Sequence, residues 1–434
     1  MRWGRSVSDL YKWMLPGMRV KRWLLLLLAG VAAIGLGLAY ILRDIYQTWT
    51  FPPMAYYVTL QFLSRPVRAA LFGIAGLSAI AVAIFQLNRS LLDALHLPNG
   101  ESIVDVLYRQ RQRERGPKVV AIGGGTGLST LLRGVKHYTA HITAIVTVAD
   151  DGGSSGRLRR ELGVLPPGDF RNCLAALAND EALITKLFQY RFAAGAGLDG
   201  HSFGNLFIAA MVGITGNFER AIIESGRVLA IQGQIMPSTL ENVTLYADLR
   251  MAQNDQVLVR RVEGESVIPE QGWPIERVYL KPEEPPAYPG AVRAILDADM
   301  IVIGPGSLYT SILPNLLVPD IARAIRASRA FKVYVCNVAT QPGETDGFSV
   351  EDHLRALEQH VGPGLVDYVL VNSQPVTPPA EANYQMVTVR EAVPPQYLLL
   401  RAELVDAERP WRHDSHKLAR ALFEAFNKRK PQGA

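Results

Sequence analysis

A short apolar segment runs directly into a glycine turn and then into an amphipathic helix. Residues 118–122 precede the turn Gly123–Gly127, and apolar residues then recur at helical spacing at Leu128, Leu131, Leu132 and Val135. A strand, glycine turn and helix in this order present a helix N-terminus and bare backbone N–H groups to a phosphate. The turn lacks the G-x-x-x-x-G-K-[ST] pattern, so a P-loop NTPase is not supported. A plain strand–helix junction remains the alternative interpretation.

A second predicted strand, residues 142–148, ends in a polar loop. That loop contains carboxylates, hydroxyls and arginines at Asp150, Asp151, Ser154, Ser155, Arg157 and Arg159. Ligands of open α/β sheets bind at the carboxyl ends of the strands. A carboxylate there can accept from a sugar hydroxyl or hold a cation, and arginine can neutralise phosphate. A solvated turn is the alternative.

Three further polar loops precede apolar helical runs. They place Asp169, Arg171 and Asn172 in one loop, His201 and Asn205 in the next, and Gly304, Gly306 and Ser307 after a strand at 301–303. The last pattern predicts a second phosphate cradle. With strands also at 332–337 and 366–371, the chain predicts a Rossmann-like, doubly wound, mostly parallel sheet. Alternating runs between about 227 and 285 predict a β-rich insertion, and residues 417–426 predict a C-terminal helix.

Two uncharged apolar stretches lie near the N-terminus, at Trp23–Leu42 and Ala69–Leu87. Each is long enough to cross about 30 Å of hydrocarbon as a helix. Basic residues are concentrated before the first stretch and after the second, which predicts a transmembrane hairpin with both ends in the cytoplasm. We therefore expect a membrane anchor over 1–89, a juxtamembrane linker over 90–117 and a cytoplasmic domain over 118–427. A cleaved signal peptide and a buried soluble helix are the alternatives for the two stretches.

The high isoelectric point, about 9.1 with a formal charge of +5, belongs to the N-terminal region. Residues 1–118 hold fifteen basic and six acidic side chains, so the remainder is mildly acidic. The excess positive charge therefore indicates membrane topology. The sequence has no basic stripe with interleaved aromatic residues, so nucleic-acid binding is not favoured.

Two cysteines exclude a disulfide framework, and Cys173 in an apolar run is expected in the core. We predict no metal site, and we expect His353 and His360 on a helix surface.

The ordered motifs resemble those of the YvcK family of gluconeogenesis factors. They are GGGTG at 123–127, ADDGGSSGR at 149–157, LPPGDFRN at 165–172, HSFGN at 201–205, GPGSLYTSILP at 304–314 and NVATQPGET at 337–345. The resemblance covers about residues 118–425. It implies membership of the wider CofD-like group, whose enzymes transfer a phospholactyl moiety to a deazaflavin. The YvcK branch is instead associated with UDP-sugars, notably UDP-N-acetylglucosamine, and with cell shape and envelope maintenance during growth on gluconeogenic carbon.

The resemblance also implies where the ligand lies. The diphosphate is expected against the two glycine turns, and the remaining polar groups are expected around the sugar or acceptor: Asp150, Asp151, Ser154, Ser155, Arg157, Asp169, Arg171, Asn172, His201, Asn205, Thr340, Gln341, Glu344 and Thr345. The expected function is a membrane-anchored UDP-sugar sensor acting on cell-envelope proteins. The alternative is a CofD-type transferase, in which Asp150 or Asp151 positions Mg²⁺ or the acceptor. Whether a reaction is catalysed and whether the chain forms a homo-oligomer stay open.

Overall fold

The computed structural model describes residues 21–48, 53–94, 110–179, 181–195, 197–253, 256–391 and 393–429. The chain divides into two compact units, Met1–Arg111 and Gln112–Ala434. The boundary falls a few residues before the predicted start of the main domain at 118. Most of the predicted linker, 95–109, lies outside the described residues.

The first unit consists of the helices Lys21–Thr48, Pro53–Val58 and Arg65–Ala94. The two predicted apolar stretches lie inside the long helices, and side chains such as Leu26 and Ile34 are exposed. Over the described residues, no helix on its own has the length and apolarity needed to cross a membrane. One bent pair passes that test together, Phe203–Thr215 with Phe218–Val228 at 117°. The transmembrane hairpin stays a prediction.

The second unit is built on the predicted mostly parallel sheet. Its seven strands are β1 Val119–Gly123, β2 Ile142–Val146, β3 Gln234–Pro237, β7 Met300–Ile303, β8 Phe331–Val335, β9 Tyr368–Asn372 and β10 Leu398–Ala402. They lie side by side in the order β10-β9-β8-β7-β1-β2-β3, and all neighbouring pairs are parallel. All five residues of β1 are buried, as expected for a central strand covered on both faces.

The chain reverses direction across the sheet at β1. From β1 it proceeds to β2 and β3 on one side, then returns to β7 on the other side and continues to β8, β9 and β10. Ile122 of β1 is in register with Ile145 of β2 and Ile303 of β7. The loops after β1 and β7 therefore diverge at their carboxyl ends, which opens a crevice at the topological switch point.

Helices connect the strands and cover both faces. Those of the second unit are Gly125–Val135, Gly153–Leu162, Gly168–Leu177, Glu181–Gln189, Phe203–Thr215, Phe218–Val228, Pro289–Leu296, Leu313–Leu316, Pro319–Ala327, Val350–Val361 and Ser415–Lys428. Short turns of 3₁₀ and π type occupy Pro269–Gln271 and Leu308–Ile312. The C-terminal helix packs on the helix that follows the first glycine turn.

The β-rich insertion is smaller than predicted. A three-stranded antiparallel sheet contains β4 Thr244–Gln253, β5 Gln256–Glu263 and β6 Ile275–Lys281, in the order β5-β4-β6. The start of the predicted insertion instead belongs to the main sheet, because β3 pairs with β2. The sequence did not predict β3 because this strand is short and ends in proline. Its four residues show too few alternations to identify a strand.

The expected surface positions of His353 and His360 are wrong. His353 is fully buried and its Nδ1 lies 2.7 Å from Ser349 O. His360 is partly buried, and its Nε2 accepts the Val278 N–H of β6 at 3.0 Å. The contact from β6 therefore takes His360 partly out of solvent. The expectation for Cys173 is confirmed, because its side chain is fully buried.

Candidate functional site

The crevice at the switch point is a cavity of about 510 Å³. One wall consists of the turn Gly124–Gly127, and a second consists of Pro305, Gly306 and Ser307. The third wall is formed by Thr340, Gln341, Asn383, Tyr384, Trp411, Arg412 and His413. The predicted site residues that line this cavity are Gly124, Gly125, Thr126, Gly127, Gly306, Ser307, Thr340 and Gln341. Gly123 and Gly304 lie at the adjoining ends of β1 and β7.

Close packing explains why the two turns require glycine. A Cβ on Gly127 would lie 2.7 Å from Gly306 Cα, so the turns touch through their backbones. Gly125 has φ +61°, and Gly304 has φ +77°, conformations that L side chains rarely adopt. The first turn thereby leads into the N-terminus of the Gly125–Val135 helix, where unpaired N–H groups and the helix dipole favour an anion.

Asp169 lies at the same helix N-terminus. It accepts a hydrogen bond from the Gly125 N–H, and a Cβ on Gly124 would overlap its Oδ2. Burial is the main cause that raises the pKa of the Asp169 carboxyl to about 7, and the neighbouring charge of Asp150 adds to it. The charge beside the first glycine turn therefore changes near neutral pH.

The second turn is held by a chain of hydrogen bonds. Ser307 Oγ donates to Gln341 Oε1 at 2.6 Å, and Gln341 Nε2 donates to Glu344 Oε1 at 2.6 Å. Glu344 also accepts from Thr310 Oγ1 at 2.8 Å, and burial raises the pKa of its carboxyl to about 7. Asn337 Nδ2 donates to Gly306 O at 2.9 Å. Glu344 thus positions the turn from behind and does not line the cavity.

The third wall contains residues that sequence reasoning missed. The Tyr384 and Trp411 rings lie 5.8 Å apart, and Trp411 is 45% exposed. Arg412 also lines an adjoining cavity of about 240 Å³, together with Arg133, Arg171 and Arg409. These residues lie in loops without glycine motifs, so no motif spacing identified them as site residues. The available sequence signal was the run Trp411-Arg412-His413, which places aromatic, cationic and imidazole side chains next to one another.

A second group of predicted residues forms a closed cluster, which we call the inner network: Ser154, Ser155, Arg171, Asn172, His201, Ser202 and Asn205. Ser154 Oγ lies 3.0 Å from His201 Nδ1, and Asn205 Nδ2 donates to Ser154 Oγ at 3.1 Å. Arg171 donates to Ser202 Oγ at 2.8 Å and to Asn205 Oδ1 at 3.2 Å. These hydrogen bonds fix the segments that carry the network. Arg171 and Asn172 also line the adjoining cavity of about 240 Å³.

The side chains of three other predicted residues form hydrogen bonds with the backbone of the protein. Asp150 Oδ1 accepts from Gly152 N at 2.9 Å, and Asp151 Oδ1 accepts from Ser266 N at 3.0 Å. Arg157 donates to the Asp199 carbonyl at 2.8 Å. Asp151 thereby attaches the small sheet to the loop after β2. Among the described residues, no cluster of three or more His, Cys, Asp or Glu side chains has a geometry that could hold a metal ion.

The site and fold match known proteins. The family model for 2-phospho-L-lactate transferase CofD matches residues 119–428. The gluconeogenesis factor of Bacillus subtilis is 47% identical over 71% of this chain and 98% of its own length. A relative from Nostoc sp. is 47% identical over 98% of this chain and 94% of its own length.

A solved structure agrees with the second unit. The crystal structure of a UPF0052-family protein from Bacillus halodurans has a TM-score of 0.65 and 45% identity. It covers 71% of this chain and 99% of that protein, so a relative without the first unit folds on its own. The chain therefore belongs to the CofD family and, within it, to the gluconeogenesis factors of the YvcK (UPF0052) group.

Proposed function

We propose that this chain binds a nucleoside-diphosphate sugar, with UDP-N-acetylglucosamine as the expected ligand, in the crevice between the loops after β1 and β7. The observation that carries the proposal is that two glycine turns touch at the switch point of the sheet. A helix N-terminus opens there onto a cavity of about 510 Å³, which suits a nucleotide-sized ligand.

The walls of the crevice supply complementary chemistry for the parts of such a ligand. The diphosphate lies against the Gly125–Val135 helix N-terminus, with Thr126 as a hydroxyl donor and Arg412 as the cation. The base stacks on the aromatic side of the third wall, formed by Tyr384 and Trp411. The sugar extends towards Thr340 and Gln341.

The proposed role is regulatory. The bound UDP-sugar reports precursor supply to proteins that maintain the cell envelope and cell shape during growth on gluconeogenic carbon. Membership of the gluconeogenesis factors supports this role. Among the described residues, the crevice lining contains no Asp or Glu side chain. The hairpin anchors the domain at the cytoplasmic face of the membrane, as the distribution of basic residues favours.

A CofD-type transferase is the second candidate, and the family model favours it. Such a reaction requires a carboxylate to position Mg²⁺ or the acceptor hydroxyl. Asp150 and Asp151 are the only candidates that the sequence offered, and each already accepts a backbone N–H. Each carboxylate keeps acceptor capacity beyond that bond. The transferase ranks second because the similar relatives from Bacillus subtilis and Nostoc sp. are named gluconeogenesis factors.

Calorimetry on the full chain in detergent tests the binding proposal. Trp411→Ala removes an exposed ring from the third wall, so we expect the Kd for UDP-N-acetylglucosamine to rise at least about tenfold. Trp273→Ala is the matched control, because Trp273 is 37% exposed and lies outside the crevice. No binding heat from the parent chain, together with phospholactyl transfer to a deazaflavin acceptor, would reverse the ranking of the two functions.

Cysteine labelling tests the topology separately. Cys173 and Cys336 are buried, so an introduced cysteine reacts against a low background. A membrane-impermeant maleimide should label Tyr57→Cys, between the two long helices, in intact cells. Tyr190→Cys, an exposed position of the second unit, should react only after lysis. Labelling of Tyr57→Cys only after lysis would contradict the hairpin.

A further inference from the structure

The helix Phe203–Thr215 has no charged side chain among its thirteen residues, and part of it faces solvent. One stripe of this helix contains, at intervals of four, three and four residues, Phe203, Phe207, Ala210 and Ile214. Phe188 of the preceding helix packs on the start of the stripe, with its ring centroid 6.1 Å from that of Phe203 and 5.4 Å from that of Phe207. The end of the stripe faces solvent, since Ala210 is exposed and Ile214 is 78% exposed.

The preceding helix, Glu181–Gln189, extends this apolar surface. It buries Phe188 against Phe203–Thr215, while Leu183 and Leu187, one helical turn apart, are 61% and 43% exposed. We call the four exposed side chains of the two helices the apolar face: Leu183, Leu187, Ala210 and Ile214. Exposed apolar patches of this kind mark surfaces that contact a partner or a membrane.

The opposite sides of the helices are committed to the core. Ile208 of Phe203–Thr215 is buried, as are Phe218 and Ile222 of the helix that follows. These two helices pass the membrane test together, but crossing a bilayer would pull those side chains out of the core. Contact from one side is compatible with the fold. Amphipathic helices make such contact by lying in the bilayer surface with their apolar residues about 5–10 Å below the headgroups.

Exposed basic side chains border the apolar face. Lys186 lies between the two exposed leucines, Arg191 follows the end of their helix, and Arg220 lies in the first turn of the helix after Phe203–Thr215. The acidic residue at the start of the first helix, Glu181, already forms ion pairs with two basic side chains. A positive border complements anionic lipid headgroups. In a symmetric contact with a second copy, the same border would face itself with like charge.

We propose that the apolar face and its basic border dock the second unit onto a bilayer that contains anionic lipid. Every residue of this contact lies in the second unit, so docking does not depend on the N-terminal hairpin. It also goes beyond the proposed function, because nucleotide binding in the crevice requires no lipid. A spanning hairpin would add to the docking by raising the effective concentration of the unit at the bilayer.

Vesicle flotation of residues 112–434 tests the docking without the hairpin. This fragment corresponds to a relative that folds without the first unit. It should bind vesicles of phosphatidylcholine with about 30% phosphatidylserine, and vesicles of phosphatidylcholine alone at least about fivefold more weakly. Ile214→Asp should lower binding to the anionic vesicles at least about tenfold. Val259→Asp is the matched control, because Val259 lies on β5 and is 59% exposed, and it should bind as the parent does.

A charge variant separates the two parts of the contact. Lys186→Gln removes one positive charge and leaves the apolar face in place. It should weaken binding to the anionic vesicles roughly threefold to fivefold and leave binding to phosphatidylcholine unchanged.

Lipid quenching tests the docking in the full chain. Cys173 and Cys336 are buried, so a thiol-reactive fluorophore attaches to an introduced cysteine. In nanodiscs that contain phosphatidylserine, doxyl-labelled lipid should quench the fluorophore on Ile214→Cys and leave that on Val259→Cys unchanged.

The outcomes separate this inference from the proposed function. Equal binding of the anionic vesicles by the parent and a folded Ile214→Asp fragment overturns the docking, and so does a parent fragment that binds neither kind of vesicle. Self-association of the parent that Ile214→Asp abolishes, without vesicle binding, would make the face an interface between copies. If Ile214→Asp fails to fold, quenching at Ile214→Cys decides, and its absence overturns the docking. Binding of UDP-N-acetylglucosamine is measured independently and stands or fails on its own.

Discussion

The crevice and the inner network use similar residue types for opposite purposes. Both lie at the carboxyl edge of the sheet, and Asp169 and Arg171 both come from the first turns of the helix Gly168–Leu177. In the crevice, polar groups such as Thr126 and Arg412 line open volume. In the inner network, His201, Ser154 and Asn205 bond one another. Polar residues near a sheet edge are thus stronger ligand candidates where they line open volume than where they bond one another.

The largest expected effect comes from the contact between the two glycine turns. Gly127→Ala places a methyl group against Gly306 Cα, so the turns must separate. We expect a loss of roughly 1–3 kcal/mol in the free energy of unfolding, as for an overpacked core, and loss of UDP-sugar binding. Denaturant unfolding and calorimetry measure the two effects. Gly213→Ala is the control, because a Cβ there meets nothing within 4 Å, and it should leave both unchanged or slightly raise stability.

The second prediction separates the two regions directly. Asn205→Ala removes one hydrogen-bond partner from each of Ser154, Ser155 and Arg171 in a buried cluster, so stability should fall by about 1–3 kcal/mol. Nucleotide affinity of the folded chain should change by less than about threefold. Arg412→Ala should do the opposite, with a Kd raised at least about tenfold and an unchanged Tm, because Arg412 is exposed. A large loss of affinity in Asn205→Ala alone would mean that the network contacts ligand.

The smallest expected effect depends on pH. As the pH rises through about 7, Asp169 gains a negative charge beside the helix N-terminus and competes with the ligand's phosphates. We expect UDP affinity to fall roughly threefold to tenfold between pH 6 and 8.5 in the wild-type chain, and less in Asp169→Asn. Asp199→Asn, an exposed carboxylate, is the control and should keep the wild-type dependence.

Stability should show the same titration. The folded pKa of Asp169 is raised above its unfolded value of 3.8, so its contribution is fully present below pH 4 and is lost as the pH rises through 7. The Tm of the wild-type chain should therefore fall relative to that of Asp169→Asn between pH 5 and 8. Parallel curves for the two proteins would mean that Asp169 titrates normally.

Much of the fold could be predicted because periodicity and glycine turns are local signals. The Gly123–Gly127 turn identified β1 and the following helix, and Gly304–Ser307 identified β7. β3 and β10 were missed, since a short strand shows little pattern of its own. His360 is partly buried because Val278 of the distant β6 donates to its ring, a contact that no local pattern reports.

The candidate site was predictable only in part, for the same reason. The conformation of the glycine turns could be predicted because it depends on the glycines within each turn. Tyr384 and Trp411 reach the crevice through loops whose path depends on the whole sheet. The hydrogen bonds of Asp151 and Asn205 were equally invisible, because the partners lie 115 and 51 residues away.

Hydrogen exchange with and without UDP-N-acetylglucosamine tests most directly whether the ligand binds in the crevice. Amide protection should rise in peptides that cover 123–130, 304–311 and 411–414. Peptides of the inner network, 153–158 and 199–205, should change little, because their hydrogen bonds are already formed. Protection confined to the inner network, or absent from both glycine turns under saturating ligand, would contradict the account.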